Sequence, residues 1–296
     1  MATDTSSSRP TIIFVHGTNS SALLGAGLIT ELTLRGHRAV AIDLPGHGAE
    51  VVYPKAYRSP QDLEALATEP SAVAGITVDD YVARTIGVVR RAAAMGPVIL
   101  VGASQGGVTL SRVGNAVPEL IDRIVYTAAY CCVDLRSLTD YLGTEENSDS
   151  LLSKITDAAV GDPRQLGVAR INWLTSDPTL FAGIKDCLAA TFTDAEARRL
   201  VTLLEPDEPA SIPLSDARGR ADTWGRIPRS YVRFNLDRLI PPALQDRFIR
   251  EADALTPDNP TDVHTVDLPH VGPFEHPDLV DILEHLAERT AAPTGC

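Results

Sequence analysis

The sequence has few cysteines and no long apolar segment. Of its four cysteines, Cys131 and Cys132 are adjacent, Cys187 stands alone and Cys296 comes last. This spacing fits neither a disulfide framework nor a zinc site, so we expect free thiols and no metal. No uninterrupted apolar run approaches the roughly 18 residues of a membrane span, and the polar residues 1–10 are unlike a signal peptide. We therefore expect a cytoplasmic protein with no membrane partner.

Basic side chains are scarce as well. Lys and Arg together number 26 against 39 Asp and Glu, which gives a formal net charge of −13. Nucleic acids and anionic membrane surfaces bind proteins through a basic face, so the composition argues against both as partners. The length of 296 residues and the apolar content of 44% are enough for one large α/β domain with a sizeable core and an insertion.

The stretch Gly102-Ala103-Ser104-Gln105-Gly106 lies between a predicted buried strand, Pro97–Val101, and a predicted helix, Gln105–Ala116. Such a strand-to-helix corner is a nucleophile elbow: it holds its central residue in a strained backbone conformation that presents the side chain, and the flanking glycines let strand and helix pass closely. The pentapeptide alone is common, but the strand and helix around it make Ser104 a candidate nucleophile.

Short apolar runs alternate with amphipathic segments over most of the chain. This alternation predicts parallel strands joined by helical crossovers. The further predicted strands are Thr11–Val15, Arg38–Ile42, Ile121–Ala129, Arg229–Phe234 and Asp262–Leu268. The further predicted helices are Ala22–Leu34, a helix capped by Thr77 that reaches Met95, Pro241–Asp253 and His276–Arg289. The Pro-rich residues 49–75 are interpreted as an irregular excursion over the surface.

The pattern changes between Val133 and Arg226. Helical segments follow one another there, at 149–159, 178–190 and 194–205, and no strand is predicted. We therefore predict a helical cap over residues 133–226, inserted into a core domain of residues 1–132 and 227–296. The large apolar side chains of this segment are expected to form mainly the core of the cap itself; they are Trp173, Phe181, Phe192 and Trp224.

A serine hydroxyl is a poor nucleophile unless a histidine removes its proton and a carboxylate orients that histidine. Loops at the carboxyl ends of parallel strands meet at one edge of the sheet. Ser104, Asp237 and His270 each follow a predicted strand, so we expect them to converge there in the order Ser, Asp, His. Asp134 also follows a strand, and it is the alternative candidate for the acid.

Several motifs resemble those of the α/β-hydrolase superfamily. They are the His16-Gly17 turn, the loop Asp43-Leu44-Pro45-Gly46-His47-Gly48, the elbow at Ser104, the segment Asp237-Arg238-Leu239-Ile240-Pro241, and His270 before Glu275-His276-Pro277. Within the superfamily the chain is most similar to the esterase branch that contains plant methylesterases and hydroxynitrile lyases. The resemblance implies an α/β fold with a mostly parallel central sheet flanked by helices and an inserted helical cap. We expect His16 and His47 to support loops rather than transfer protons.

The resemblance also implies roles for individual residues. Ser104 would be the nucleophile, His270 the general base and then acid, and Asp237 the orienting carboxylate. The backbone N–H groups of Thr18 and Gln105 would form the oxyanion hole. The implied reaction is hydrolysis of a carboxylic ester, lactone or thioester through an acyl-enzyme, with no cofactor. The acidic charge and apolar cap favour a neutral, apolar small-molecule substrate.

Three alternatives remain open. Hydroxynitrile lyases use the same three residues to cleave a C–C bond, although the resemblance implies a lysine after the base histidine, where this chain has Val271. A protein on this fold could also bind a small ligand without catalysis. Finally, arginines of the cap could point inward and bind an anionic substrate; the candidates are Arg170, Arg198, Arg199, Arg218, Arg220 and Arg226.

Overall fold

The computed structural model describes residues 9–291. Within that range the strands are β1 (Thr11–Val15), β2 (Arg38–Ile42), β3 (Val98–Ser104), β4 (Arg123–Ala129), β5 (Val168–Arg170), β6 (Asp207–Pro209), β7 (Arg229–Phe234) and β8 (Asp262–Val266). Six of them form one parallel sheet in the order β2-β1-β3-β4-β7-β8. The predicted α/β fold with a mostly parallel sheet is confirmed, and β1, β2 and β7 have the predicted bounds.

Helices cover both faces of this sheet. The α-helices in the described range are α1 (Ala26–Leu34), α2 (Leu63–Leu66), α3 (Val78–Ala93), α4 (Gly106–Ala116), α5 (Leu138–Leu142), α6 (Leu152–Thr156), α7 (Pro163–Leu166), α8 (Pro178–Leu188), α9 (Asp194–Val201), α10 (Pro242–Leu255) and α11 (Pro277–Ala291). No helix among residues 9–291 is long and apolar enough to cross a bilayer. Helices α1 and α11 share one apolar cluster with the sheet, and α3, α4 and α10 share the other.

The central strand β3 is buried on both faces. Its side chains alternate, with Ile99 and Val101 in the cluster of α1 and α11, and Val98 and Leu100 in the opposite cluster. All four side chains are fully buried. Ser104 therefore stands at the end of a strand that the core holds rigidly on both sides.

The segment between β4 and β7 contains more than helices. It holds the short helices α5 to α9, but β5 and β6 pair antiparallel with Ala169 opposite Glu208. The prediction that this segment has no strand is wrong. Strands of three residues are too short to show an alternating pattern. The pair is also held by a long-range contact, because the buried Arg170 guanidinium donates to both carboxylate oxygens of Asp207.

Residues 49–75 are largely irregular, as predicted, but they are not confined to the surface. Tyr57 and Leu66 are buried. The backbone carbonyls of Leu66 and Glu69 accept hydrogen bonds from the Arg170 guanidinium. This stretch is therefore part of the support for β5, a role that its composition does not indicate.

Cys131, Cys132 and Cys187 are buried free thiols, which confirms the prediction for these three residues. Cys296 lies outside the described residues. Burial raises the pKa of the Cys131 thiol to about 12, so this side chain stays protonated at neutral pH.

Candidate active site

Ser104 occupies the corner between β3 and α4. Its backbone φ is +53°, a left-handed conformation that costs a non-glycine residue about 1–3 kcal/mol. This is the strained elbow that the sequence predicts. A Cβ atom at Gly106 would lie 2.7 Å from the carbonyl oxygens of Val15 and His16. Only glycine at this position lets the start of α4 pass so close to the end of β1.

His270 connects Ser104 to Asp237. Its Nε2 lies 3.0 Å from Ser104 Oγ, and its Nδ1 lies 2.7 Å from Asp237 Oδ2. The three residues are buried, with Ser104 the most exposed at 9%. Since Nδ1–H donates its hydrogen bond to Asp237, Nε2 keeps its lone pair and accepts the hydrogen bond of the serine hydroxyl. The structure brings the three candidate catalytic residues into one hydrogen-bonded chain.

The two candidate acids lie in different places. Asp237 Oδ1 accepts the backbone N–H groups of Leu239 and Ile240, at 2.8 and 2.9 Å, which leaves Oδ2 aimed at His270. Asp134 is exposed, and its backbone N–H donates to Glu251. It lines a separate surface cleft and makes no hydrogen bond to His270 in the described part of the chain. The geometry therefore favours Asp237 as the orienting carboxylate.

The candidate oxyanion donors lie beside the nucleophile. A Cβ atom at Gly17 would be 2.8 Å from Ser104 Cβ, and the adjoining Thr18 lines the same cavity as Ser104. Gln105 is the N-cap of α4, whose amino end carries a partial positive charge. Among residues 9–291, neither the Thr18 nor the Gln105 N–H donates to a backbone carbonyl. Both groups therefore remain candidate donors to a developing negative charge.

Ser104 and His270 open onto a cavity of about 50 Å³. Its apolar lining comes from the core and from the segment predicted to be the cap: Leu24, Ala103, Leu188, Leu204, Leu239, Val271 and Phe274. The Val271 backbone N–H donates to the Leu188 carbonyl at 2.9 Å, which ties the loop of His270 to the end of α8. Within the described range, His270 is the only ionisable side chain in this lining.

None of the aromatic and basic residues of the segment 133–226 lines this cavity, although Phe192 and Arg199 line a larger cavity beside it. Trp173, Phe181 and Trp224 are buried in the larger apolar cluster, as expected of residues that pack. None of the candidate arginines named above lines the cavity. Arg170 is paired with Asp207, and the Arg198 guanidinium lies 4.0 Å from the centre of the Phe181 ring.

His16 supports two loops and makes no contact with His270 in the described structure. Burial and, to a lesser degree, the neighbouring His47 lower the pKa of His16 to about 3, so its ring is neutral. Its Nε2 accepts the backbone N–H of Leu44, and its Nδ1 bonds the carbonyl of Gly17. This agrees with the expected supporting role.

A second buried polar cluster adjoins the site, and the sequence did not reveal it. His47 Nδ1–H donates to Glu205 at 2.7 Å, and Nε2–H donates to the Tyr81 hydroxyl at 2.7 Å. Tyr81 in turn donates to Glu208. Burial opposes a charge on His47, but the hydrogen bond to Glu205 and the nearby Glu208 carboxylate outweigh it and raise the pKa of the imidazole. No local pattern marks these glutamates as buried, because their partners are over a hundred positions away in the chain.

A family model described as the alpha/beta hydrolase family matches residues 12–281. The chain belongs to the alpha/beta hydrolase family. No curated protein matches the sequence.

Solved structures share the fold over almost the whole chain. A pyrethroid hydrolase from Sphingobium faniae is 18% identical, with 94% of this chain and 97% of that chain covered and a TM-score of 0.69. Polyneuridine aldehyde esterase is 20% identical, with coverages of 94% and 99% and a TM-score of 0.66. An extracellular α/β-hydrolase from a Paenibacillus species, homologous to tobacco salicylic acid binding protein 2, is 20% identical, with coverages of 94% and 98% and a TM-score of 0.66. The predicted resemblance to the α/β-hydrolase superfamily is confirmed by the family match, and the structures of the esterases and hydrolases, at identities this low, confirm the fold.

Proposed function

We propose that this protein is a serine hydrolase that cleaves a carboxylic ester or lactone through an acyl-enzyme on Ser104. The observation that carries the proposal is the chain of hydrogen bonds from Ser104 through His270 to Asp237, at the wall of an apolar cavity. Membership of the alpha/beta hydrolase family supports it, as does structural similarity to a pyrethroid hydrolase and an esterase.

In the proposed cycle, Ser104 Oγ attacks the carbonyl carbon while His270 Nε2 takes the hydroxyl proton. The Thr18 and Gln105 N–H groups stabilise the negative charge on the carbonyl oxygen. His270 then protonates the departing alkoxide, and the acyl group remains on Ser104. A water molecule deprotonated by His270 Nε2 then attacks the acyl carbon, the bond from that carbon to Ser104 Oγ breaks, and Oγ takes the proton back from His270 as the acid leaves. Asp237 stabilises the imidazolium in both halves of the cycle.

We also propose that residues 133–226 act as a cap over a core of residues 1–132 and 227–296. Leu188 and Leu204 of this segment close the cavity above Ser104. Contacts of this kind exclude water from the reacting groups, which strengthens the electrostatic interactions inside the cavity. We propose that part of the segment moves during turnover, because a cavity of about 50 Å³ has room for a few water molecules but not for a whole ester substrate.

A neutral substrate is favoured over an anionic one. Within residues 9–291 the cavity lining holds no arginine or lysine that could pair with a carboxylate or phosphate. A C–C lyase is less well supported for a related reason: Val271 contributes an aliphatic side chain to the lining and cannot hold an anionic leaving group. A protein that only bound a ligand would have no need of the Ser104–His270 contact.

The neutral-substrate proposal predicts a preference that steady-state kinetics can measure. We expect kcat/KM for p-nitrophenyl butyrate to exceed that for the monoester of p-nitrophenol with succinate by at least about tenfold, because the apolar cavity cannot solvate a carboxylate. The comparison is made at two ionic strengths. A preference for the carboxylated ester that is strongest at low salt would mean that a cation faces the substrate and would overturn the proposal.

A larger cavity of about 370 Å³ adjoins the catalytic one. Leu24 and Phe274 line both cavities and separate them. Phe274 is held by its edge-to-face contact with Phe14, whereas Leu24 is only partly buried at the surface of the core. Leu24 is therefore the more easily displaced part of the partition, and a long acyl or alcohol group could extend past it.

We accordingly expect Leu24→Ala to raise the ratio of kcat/KM for p-nitrophenyl octanoate to that for p-nitrophenyl acetate by about three- to tenfold. Leu23→Ala is the matched control, since Leu23 is 59% exposed and lines the larger cavity but not the catalytic one. Equal ratios in Leu24→Ala and wild type, or the same increase in Leu23→Ala, would show that long chains take another route.

A further inference from the structure

The loop of the first oxyanion donor is bound to one short segment of the cap. Asn19 follows Thr18 and has a left-handed backbone with φ of +51°. The side-chain NH₂ group of Asn19 donates to the backbone carbonyls of Glu205 and Pro206, at 2.8 and 3.1 Å. The backbone carbonyl of Asn19 accepts a hydrogen bond from the Glu205 N–H at 2.8 Å. The backbone N–H of Asn19 donates to Glu208 Oε2 at 2.8 Å. These contacts hold the turn that sets the direction of the Thr18 N–H.

The second oxyanion donor is bound to the same carboxylate. The side chain of Gln105 donates through Nε2 to Glu208 Oε1 at 2.6 Å. The backbone N–H of Gln105 is the other candidate donor to the oxyanion. Each carboxylate oxygen of Glu208 thus holds one arm of the oxyanion hole, that is, one of the two segments that carry a candidate donor: Oε2 bonds Asn19, next to Thr18, and Oε1 bonds Gln105. Glu208 is 3% exposed, and Asn19 and Gln105 are buried too.

We infer that Glu208, a residue of the cap strand β6, is a positioning residue that fixes both halves of the oxyanion hole at once. This inference rests on the proposed function. The Glu208 carboxylate touches no reacting atom; it acts through Asn19 and Gln105. Hydrogen bonds to an ionised acceptor are roughly twice as strong as neutral ones, and a buried carboxylate that links two loops limits the movement of both.

A carboxylate suits this place better than an amide. Glu208 accepts from three donors: the Asn19 N–H, the Gln105 side chain and the Tyr81 hydroxyl. In Glu208→Gln, one of the two side-chain oxygens becomes an NH₂ group that faces a donor. An NH₂ group that faces the Asn19 N–H leaves that donor without its acceptor. One that faces Gln105 can be bonded only if Gln105 turns its amide oxygen toward it, so a charge-assisted hydrogen bond becomes a neutral one. The shape of the side chain is preserved in both cases.

The test measures how fast an alkyl fluorophosphonate labels Ser104 in intact protein. This readout needs no knowledge of the natural substrate, and the phosphoryl oxygen takes the place of the oxyanion. We expect Glu208→Gln to lower the second-order labelling rate on the order of 10–100-fold, since displaced oxyanion donors stabilise the transition state less well. For an ester that is turned over, kcat should fall by a similar factor with KM changed less than threefold.

Tyr81→Phe is the matched control. It removes the hydrogen bonds of the Tyr81 hydroxyl with Glu208 and with His47 Nε2, but none made by Asn19 or Gln105, so labelling should stay within about threefold of wild type. If Glu208→Gln does not fold, as judged by circular dichroism, Gln105→Leu provides the second variant: it removes one anchor and should slow labelling at least about threefold.

Wild-type labelling rates in Glu208→Gln, or in Gln105→Leu where that variant is used, would overturn the inference, as would an equal loss in Tyr81→Phe. The proposed function fails in a different way, namely if wild-type Ser104 is not labelled or if Ser104→Ala retains full esterase activity.

Discussion

Replacing Ser104 with alanine is expected to lower kcat/KM for any ester substrate by at least about 10³-fold, because no other group can form the acyl-enzyme. The fold should persist, since within residues 9–291 the Ser104 side chain forms a hydrogen bond with His270 alone. The measurement is ester hydrolysis by purified protein, with circular dichroism to check folding.

Ser111→Ala is the matched control for this substitution. Ser111 lies in α4, is fully buried, and shares a 2.8 Å hydrogen bond with the Tyr126 hydroxyl. Its loss should reduce stability by roughly 1 kcal/mol and leave turnover almost unchanged. Undiminished hydrolysis by Ser104→Ala would rule out the serine mechanism and leave the ligand-binding alternative.

Replacing Asp237 with asparagine is expected to lower kcat on the order of 10³–10⁴-fold. The backbone N–H groups of Leu239 and Ile240 would hold the amide oxygen, so the new NH₂ group would face His270 Nδ1. His270 would then carry its proton on Nε2, and a protonated Nε2 cannot take the hydroxyl proton of Ser104. The pH dependence of kcat, measured together with its value, reports this change of tautomer.

Asp134→Asn is the control for the choice of acid. Asp134 is exposed in another cleft, so its substitution should change kcat by less than about threefold. If instead Asp134→Asn abolishes turnover and Asp237→Asn has little effect, the orienting carboxylate is Asp134. The hydrogen bond between His270 and Asp237 would then not be the one used during catalysis.

The core sheet could be predicted because its signals are local. Buried parallel strands are continuous apolar runs, and Thr11–Val15 is bounded by turn-forming residues at both ends. The site followed from topology: strands that run in parallel end at one edge, so residues after those ends meet. Ser104, Asp237 and His270 meet for this reason, and the structure shows their hydrogen bonds.

The segment 133–226, the proposed cap, could not be predicted to the same depth, because long-range contacts decide its structure. The strand β5 forms where Arg170 meets Asp207 and the carbonyls of Leu66 and Glu69. Neither charged residue suggests burial when taken alone. Likewise, the sequence gives no sign that Glu208 differs from the other acidic residues of an acidic chain. Only the structure shows that its carboxylate accepts the Asn19 N–H.

The aromatic side chains of residues 133–226 illustrate what amphipathic spacing can and cannot predict. Trp173 and Phe181 are buried in the apolar core, as the sequence predicts, but the sequence did not identify the residues that line the cavity, whose apolar part is aliphatic apart from Phe274. Amphipathic spacing tells which residues are buried, but it does not distinguish burial in a core from burial at a cavity wall.

The central claim is that His270 and Asp237 make Ser104 a nucleophile. The most direct measurement is titration of the wild-type protein with a p-nitrophenyl alkylphosphonate, followed by peptide mass mapping. The account predicts release of about one equivalent of p-nitrophenolate per chain, a stable phosphonyl group on Ser104, and loss of esterase activity in step with the modification. Complete loss of activity with Ser104 unmodified and the adduct on another residue would contradict it.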